Sequence, residues 1–242
     1  MKIESLLARR TDLSTFLVHL TRTTESTSAK ERLKAILSER ELKAVSPFGP
    51  AVSRLREAKL STKSQNCVCF TETPLEYVAL LTEDIEDRQC TFESYGIGIT
   101  KKQARRLGVN PIWYLDITPG HDWLTRPVNE LIDDALKTGE FDGTPIASLA
   151  PFIEQMGSGG SATGPNGYRK EFWWEREWRC AGRVRLPDSF LVLCPEEEIG
   201  EFKKVVDDID VRLHVGFLDP RWSLEQIIAR LAGFNDADVG PM

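Results

Sequence analysis

Short apolar runs separated by Pro, Gly and polar clusters set the pattern of this chain. Residues 15–21, 66–71, 95–100, 111–117, 189–194 and 211–217 are brief and rich in β-branched or aromatic side chains, and they predict strands. Between them the apolar spacing lengthens to that of helices. Ser28 with Glu31 forms a capping box before a helix carrying Leu33, Ile36, Leu37 and Leu42, and Thr100 with Gln103 opens another that stops at Gly108. Thr73, Pro74 and Glu76 predict a helix over 74–81. Further helices are expected over 128–137, ended by Gly139, over 196–206, and from Ser223 with Gln226 completing its box. Residues 46–66 read as irregular, with Arg54, Arg56, Lys59 and Lys63 making them basic. Intermixed helices and short strands predict an α+β fold with a mainly antiparallel sheet.

The densest stretch is 168–180, with three of the six Trp and three Glu. As one strand it would place Phe172, Trp174, Trp178 and Cys180 on a buried face, and Trp173, Glu175, Glu177 and Arg179 on the other. Two carboxylates on one face are costly unless something polar meets them. They could hold a sugar hydroxyl and steady an oxocarbenium-like transition state. They could equally pair with Arg176, Arg179 or Arg183 in a solvated ladder. Upstream, 156–167 contains five glycines and reads as a mobile loop feeding this strand. Elsewhere His19 with Thr21, Thr71 with Glu72, and Tyr95 stand at polar ends of predicted strands, where sites are commonly built.

Composition narrows the chemistry. A hydrophobic content of 41% supports a proper core, and no interdomain linker is legible, so one domain over 1–234 with a disordered tail over 235–242 is expected. A net charge of −6 argues against bulk electrostatic binding to nucleic acid, though Lys101, Lys102, Arg105 and Arg106 could line a local basic groove. Five Cys, an odd number, fit reduced thiols, and the lack of a signal-like or membrane-spanning run points to the cytoplasm. Cys67 and Cys69 are one residue apart, so no metal site is expected. Gly96-Ile-Gly98 lacks the third glycine of a dinucleotide fingerprint, and no phosphate loop or nucleophile elbow is present.

The blocks Val18-His-Leu-Thr-Arg22, Cys67-Val-Cys-Phe-Thr-Glu-Thr-Pro-Leu75, Tyr95-Gly-Ile-Gly-Ile-Thr-Lys101, Asn110-Pro-Ile-Trp-Tyr114 and Trp174-Glu-Arg-Glu-Trp-Arg179 occur in that order between about residues 16 and 185. In this order they resemble the AbiGi-type abortive phage resistance family, which itself resembles DarT-like ADP-ribosyltransferases. The resemblance implies a split antiparallel β-sandwich with flanking helices, gripping NAD as substrate. It implies Glu177 as the catalytic glutamate, Glu175 as its upstream partner and His19 as the residue on a ribose hydroxyl, assisted by Thr21. Thr71 or Tyr95 would stand near the nicotinamide, Trp173 would border the cleft, and 156–168 would be the substrate-recognition loop. The implied activity is toxin-like transfer of ADP-ribose to nucleic acid or protein in anti-phage defence. The alternative is a non-catalytic antitoxin or phage-sensing module of the same fold, with a cognate toxin or a phage protein as partner.

Overall fold

The computed structural model describes residues 12–84, 91–159, 168–209 and 212–234. Strand β1 (Phe16–Leu20) precedes the helix Ala29–Glu39, short strands β2 (Glu41–Lys43) and β3 (Ser46–Pro47), and the helix Ala51–Glu57. Next come β4 (Asn66–Thr71), a 3₁₀ helix Leu75–Thr82, β5 (Gly96–Thr100) and the helix Lys101–Arg106. β6 (Asn110–Pro111) and β7 (Trp113–Asp116) lead to the helices Thr125–Lys137 and Pro145–Leu149. The strands β8 (Ile153–Gly159), β9 (Tyr168–Lys170), β10 (Glu177–Ala181), β11 (Arg183–Arg185) and β12 (Ser189–Leu193) follow. The helix Ile199–Ile209, β13 (His214–Leu218) and the helix Leu224–Leu231 complete the order. The class is α+β, as the sequence pattern predicts.

The chain forms two compact units, each assembled from separated segments. The first takes Met1–Leu42, Phe70–Ala104 and Arg185–Met242, and the second takes Lys43–Cys69 and Arg105–Val184.

In the first unit β5 pairs antiparallel with both β1 and β12, while β13 runs parallel to β12. β1, β5 and β12 are buried along most of their length, which is why they read as apolar runs rather than strict alternations. Cross-strand register sets Val18, Gly98, Leu191 and Gly216 in one row. A Cβ at Gly216 would stand 2.7 Å from Leu191 Cδ2, so this row admits no side chain beside the leucine without a shift. The helix Ala29–Glu39 starts at the expected box: Ser28 Oγ accepts from the Glu31 N–H, and the Ser28 N–H donates to Glu31 Oε2. Its Ala29, Leu33 and Leu37, spaced by four, are buried, and burial stabilises each leucine by about 1.5–3 kcal/mol.

In the second unit β10 lies between β4 and β6, and β8 joins β7 in parallel and β9 antiparallel. Three helices supply the core. Ala51 and Leu55, Ile132 and Ala135, and Ile146 and Ala147 close around Phe141 and Ala150. Gly49 permits that closure, for its φ is +94° and a Cβ there would lie 2.0 Å from the Ala150 carbonyl oxygen.

Several sequence expectations change. Residues 168–180 are not one strand: β9 ends at Lys170, Trp173–Glu175 form a 3₁₀ turn, and β10 starts at Glu177. Arg176 between them takes φ +49°, and the Trp174 indole N–H donates to the Glu171 carbonyl, so local bonds close a turn in place of a ladder. The predicted 74–81 helix is the 3₁₀ helix Leu75–Thr82, because the Thr73 hydroxyl is engaged with Thr71 Oγ1 at 2.8 Å and Pro74 is extended. Residues 46–66 contain a helix, Ala51–Glu57, whose start has no side-chain cap and whose register is set by packing. The 111–117 segment divides at Ile112, where its pairing passes from β10 to β8: Pro111 stands opposite Trp178, and Trp113 opposite Ile153. The proposed loop 156–167 begins inside β8, and its residues 160–167 lie outside the described residues, as does the tail 235–242.

Candidate functional site

Glu177 opens β10 immediately after the left-handed Arg176, and its carboxylate is taken up within its own strand. Arg179, two residues on, donates from Nε to Glu177 Oε1 at 2.9 Å and from Nη2 to Glu177 Oε2 at 2.7 Å. The same Nη2 meets Glu154 Oε2, from β8, at 2.8 Å. Nη1 donates to the carbonyls of Pro151 at 2.8 Å and Ile153 at 3.5 Å. All five guanidinium N–H donors thus face an acceptor, and the guanidinium carbon stands 4.7 Å over the Phe48 ring. Arg179 is 1% exposed, so this is a buried ion cluster of two carboxylates on one cation. The solvated ladder weighed from the sequence has the right cation, although the pair is buried.

The electrostatics of this cluster reach its neighbours. Burial opposes the Arg179 charge, but the Glu177 carboxylate outweighs it and holds the guanidinium above its ordinary pKa. Burial pushes the Cys67 thiol up to about 12, and burial with the nearby Glu177 carboxylate also raises the Cys69 thiol well above its ordinary value. The Glu177 N–H donates to Tyr114 Oη at 2.9 Å, and burial raises that phenol. Glu175 closes the 3₁₀ turn with its N–H on the Phe172 carbonyl, so it does not share a strand face with Glu177. Trp173 in the same turn is 56% exposed, whereas Trp178 is 5% exposed and anchors β10 in the core.

The other candidates belong to the first unit. His19 sits within β1, its ring edge-on to Phe70 with centroids 5.9 Å apart. Thr21 is buried and its hydroxyl is directed at the carbonyls of Ala29 at 3.0 Å and Tyr95 at 3.2 Å, a tie between segments. Tyr95 Oη donates to Glu198 Oε2 at 3.0 Å, and Lys30 bridges Glu198 and Glu201 behind it. Burial, reinforced by that carboxylate, pushes the Tyr95 phenol up to about 12. Thr71 pairs with Val18 in register, so strand alternation puts it on the face opposite His19. Thr71 Oγ1 also accepts from the Thr73 N–H at 3.1 Å, which makes it a turn former. Its neighbour Glu72 is 8% exposed and bridges Lys101 at 2.6 Å.

The site residues therefore divide: Glu177, Glu175 and Trp173 lie in the second unit, and His19, Thr21, Thr71 and Tyr95 in the first. Sequence reasoning missed Glu154 and the burial of Arg179. Glu154 lies 25 residues from Arg179 and shares no motif with it, so only the β8 placement reveals it. Among the described residues, Cys67, Cys69, Cys180 and Cys194 are reduced and joined by no disulfide. Among the described residues no His, Cys, Asp and Glu cluster has the geometry to hold a metal, and no helix is long and apolar enough to cross a membrane.

No family model, curated protein or solved structure matches this chain. The AbiGi-type resemblance rests on the quoted sequence blocks.

Proposed function

We propose that this chain is a non-catalytic interaction module of bacterial anti-phage defence, an ADP-ribosyltransferase-like protein in which the family's glutamate serves the fold. One observation carries the reading: both carboxylate oxygens of Glu177 accept from the buried Arg179. A glutamate that steadies a ribosyl cation must turn its oxygens to the substrate as charge develops. At Glu177 that turn breaks a bidentate buried pair and leaves Arg179 with Glu154 alone, a disruption of about 3–5 kcal/mol by the usual measure of such pairs. The partner the resemblance suggests is a cognate toxin or a phage protein.

A second reading is NAD-dependent transfer, in which the nicotinamide–ribose bond breaks, nicotinamide leaves with the bonding pair, and an acceptor attacks C1′. It is favoured by the backbone at Arg176, whose positive φ immediately before Glu177 is the kind of strain that gathers at functional sites. Incubation of the purified protein with NAD separates the two. Wild type and Glu177→Gln are expected to release no nicotinamide above a protein-free control, and wild type is expected to form a stoichiometric complex with the product of a neighbouring gene. Nicotinamide release by wild type that Glu177→Gln abolishes establishes the second reading in place of the first.

A further inference from the structure

The first unit contains a cavity that none of the site candidates lines. Its volume is about 570 Å³, within the range of small-molecule sites. The row Gly98, Leu191 and Gly216 lies at its floor, where two residues without side chains flank one leucine. Phe16, Phe190, Phe217, Trp222 and Phe234 supply aromatic walls. The charged side chains that line it are both cations, Lys203 and Arg230, and no carboxylate is among the lining residues of a chain with net charge −6.

The two cations differ in what already holds them. Arg230 stacks 4.7 Å over the Trp222 ring and donates to Glu196 Oε1 at 2.8 Å, which fixes it as part of the wall. Lys203 is exposed and its ammonium lies 5.9 Å from the Phe217 ring centroid, and among the described residues no carboxylate bridges to it. His214 opens β13 at the same cavity. An aromatic-walled space with an uncommitted ammonium at its rim accommodates an apolar body and one negative group together.

We propose that this cavity is a binding site for a small amphipathic organic anion, a flat or chain-like apolar body carrying a single carboxylate or sulfonate that meets Lys203. The site is independent of Glu177, which lies in the other unit, and stands whether or not the chain turns over NAD. The body would displace water from the aromatic walls, and the ammonium would select against neutral analogues of the same shape.

Fluorescence titration with 8-anilinonaphthalene-1-sulfonate tests this on the full chain, with neutral N-phenyl-1-naphthylamine as the matched control. Saturable binding of one sulfonate per chain is expected, weakened by added salt and stronger than that of the neutral dye. Lys203→Glu should weaken sulfonate binding roughly tenfold, the size of one charge-assisted contact, and leave the neutral dye unchanged. Phe234→Ala should weaken both dyes. Ile228→Asp, on an exposed face of the last helix that does not line the cavity, should alter neither. Lys203 and Phe234 are exposed, so circular dichroism of both variants should match wild type. Non-saturable binding, equal affinity for the two dyes, indifference to Lys203→Glu, or loss of binding in Ile228→Asp would each overturn the proposal.

Discussion

Arg179 brings a permanent positive charge and five N–H donors to a position that is 1% exposed, and this one residue sets the chemistry of its surroundings. Water is excluded, so the charge is tolerable only because Glu177 and Glu154 face it and two carbonyls take the remaining donors. Arg179→Met keeps the length and removes the cation, which leaves two carboxylates confronting each other. The expected loss is about 3–5 kcal/mol in urea unfolding. A triple variant that also neutralises the two glutamates, Glu154→Gln with Glu177→Gln, should recover a large part of that loss, because it removes the unpaired charges. A loss under about 1 kcal/mol for Arg179→Met would mean that the pair behaves as an exposed one, and the structural role given to Glu177 would fall with it.

At the scale of elements, local chemistry is legible where side chains bond within a few residues. The boxes at Ser28, Thr100 and Ser223 all form as their spacing predicts, because each needs only residues three apart. Ser28→Ala removes the acceptor for the Glu31 N–H and should lower stability by about 1 kcal/mol. The measurement is the urea midpoint at unchanged slope, and an unchanged midpoint would show that packing of Leu33 and Leu37 alone holds the helix. The 3₁₀ turn at Trp173 was hidden for the opposite reason. Alternating Trp and Glu satisfy a strand pattern, and the bond from the Trp174 indole to the Glu171 carbonyl, which closes the turn, competes with it unseen. The helix Ala51–Glu57 was equally hidden, since its seven residues lack a side-chain cap and its apolar Ala51 and Leu55 gain meaning only against Ile132 and Phe141.

At the scale of the molecule, each compact unit draws on distant stretches of chain. The first needs the last segment, because β12 pairs β5 and β13 pairs β12. A fragment ending at Val184 removes both strands and uncovers the Gly96–Gly98 edge of β5 that Leu191–Leu193 of β12 pair with. It should therefore lose cooperative unfolding by circular dichroism; a fragment that unfolds cooperatively with wild-type strand content would show that β12 and β13 are dispensable. The sequence by itself determined the α+β class, the capped helices, the apolar strands β1, β4, β5 and β12, and the dense Trp and Glu stretch as a place of unusual chemistry. Those features depend on bonds and alternations a few residues long. Tertiary structure alone decided that β8 carries Glu154 to Arg179, that His19 and Thr71 take opposite faces, that the chain divides into units of interleaved segments, and that a cavity with a cationic rim lies on the Leu191 row. These follow from register and long-range packing, where the partner of a residue is chosen by position in space, and nothing in its neighbours along the chain records that choice.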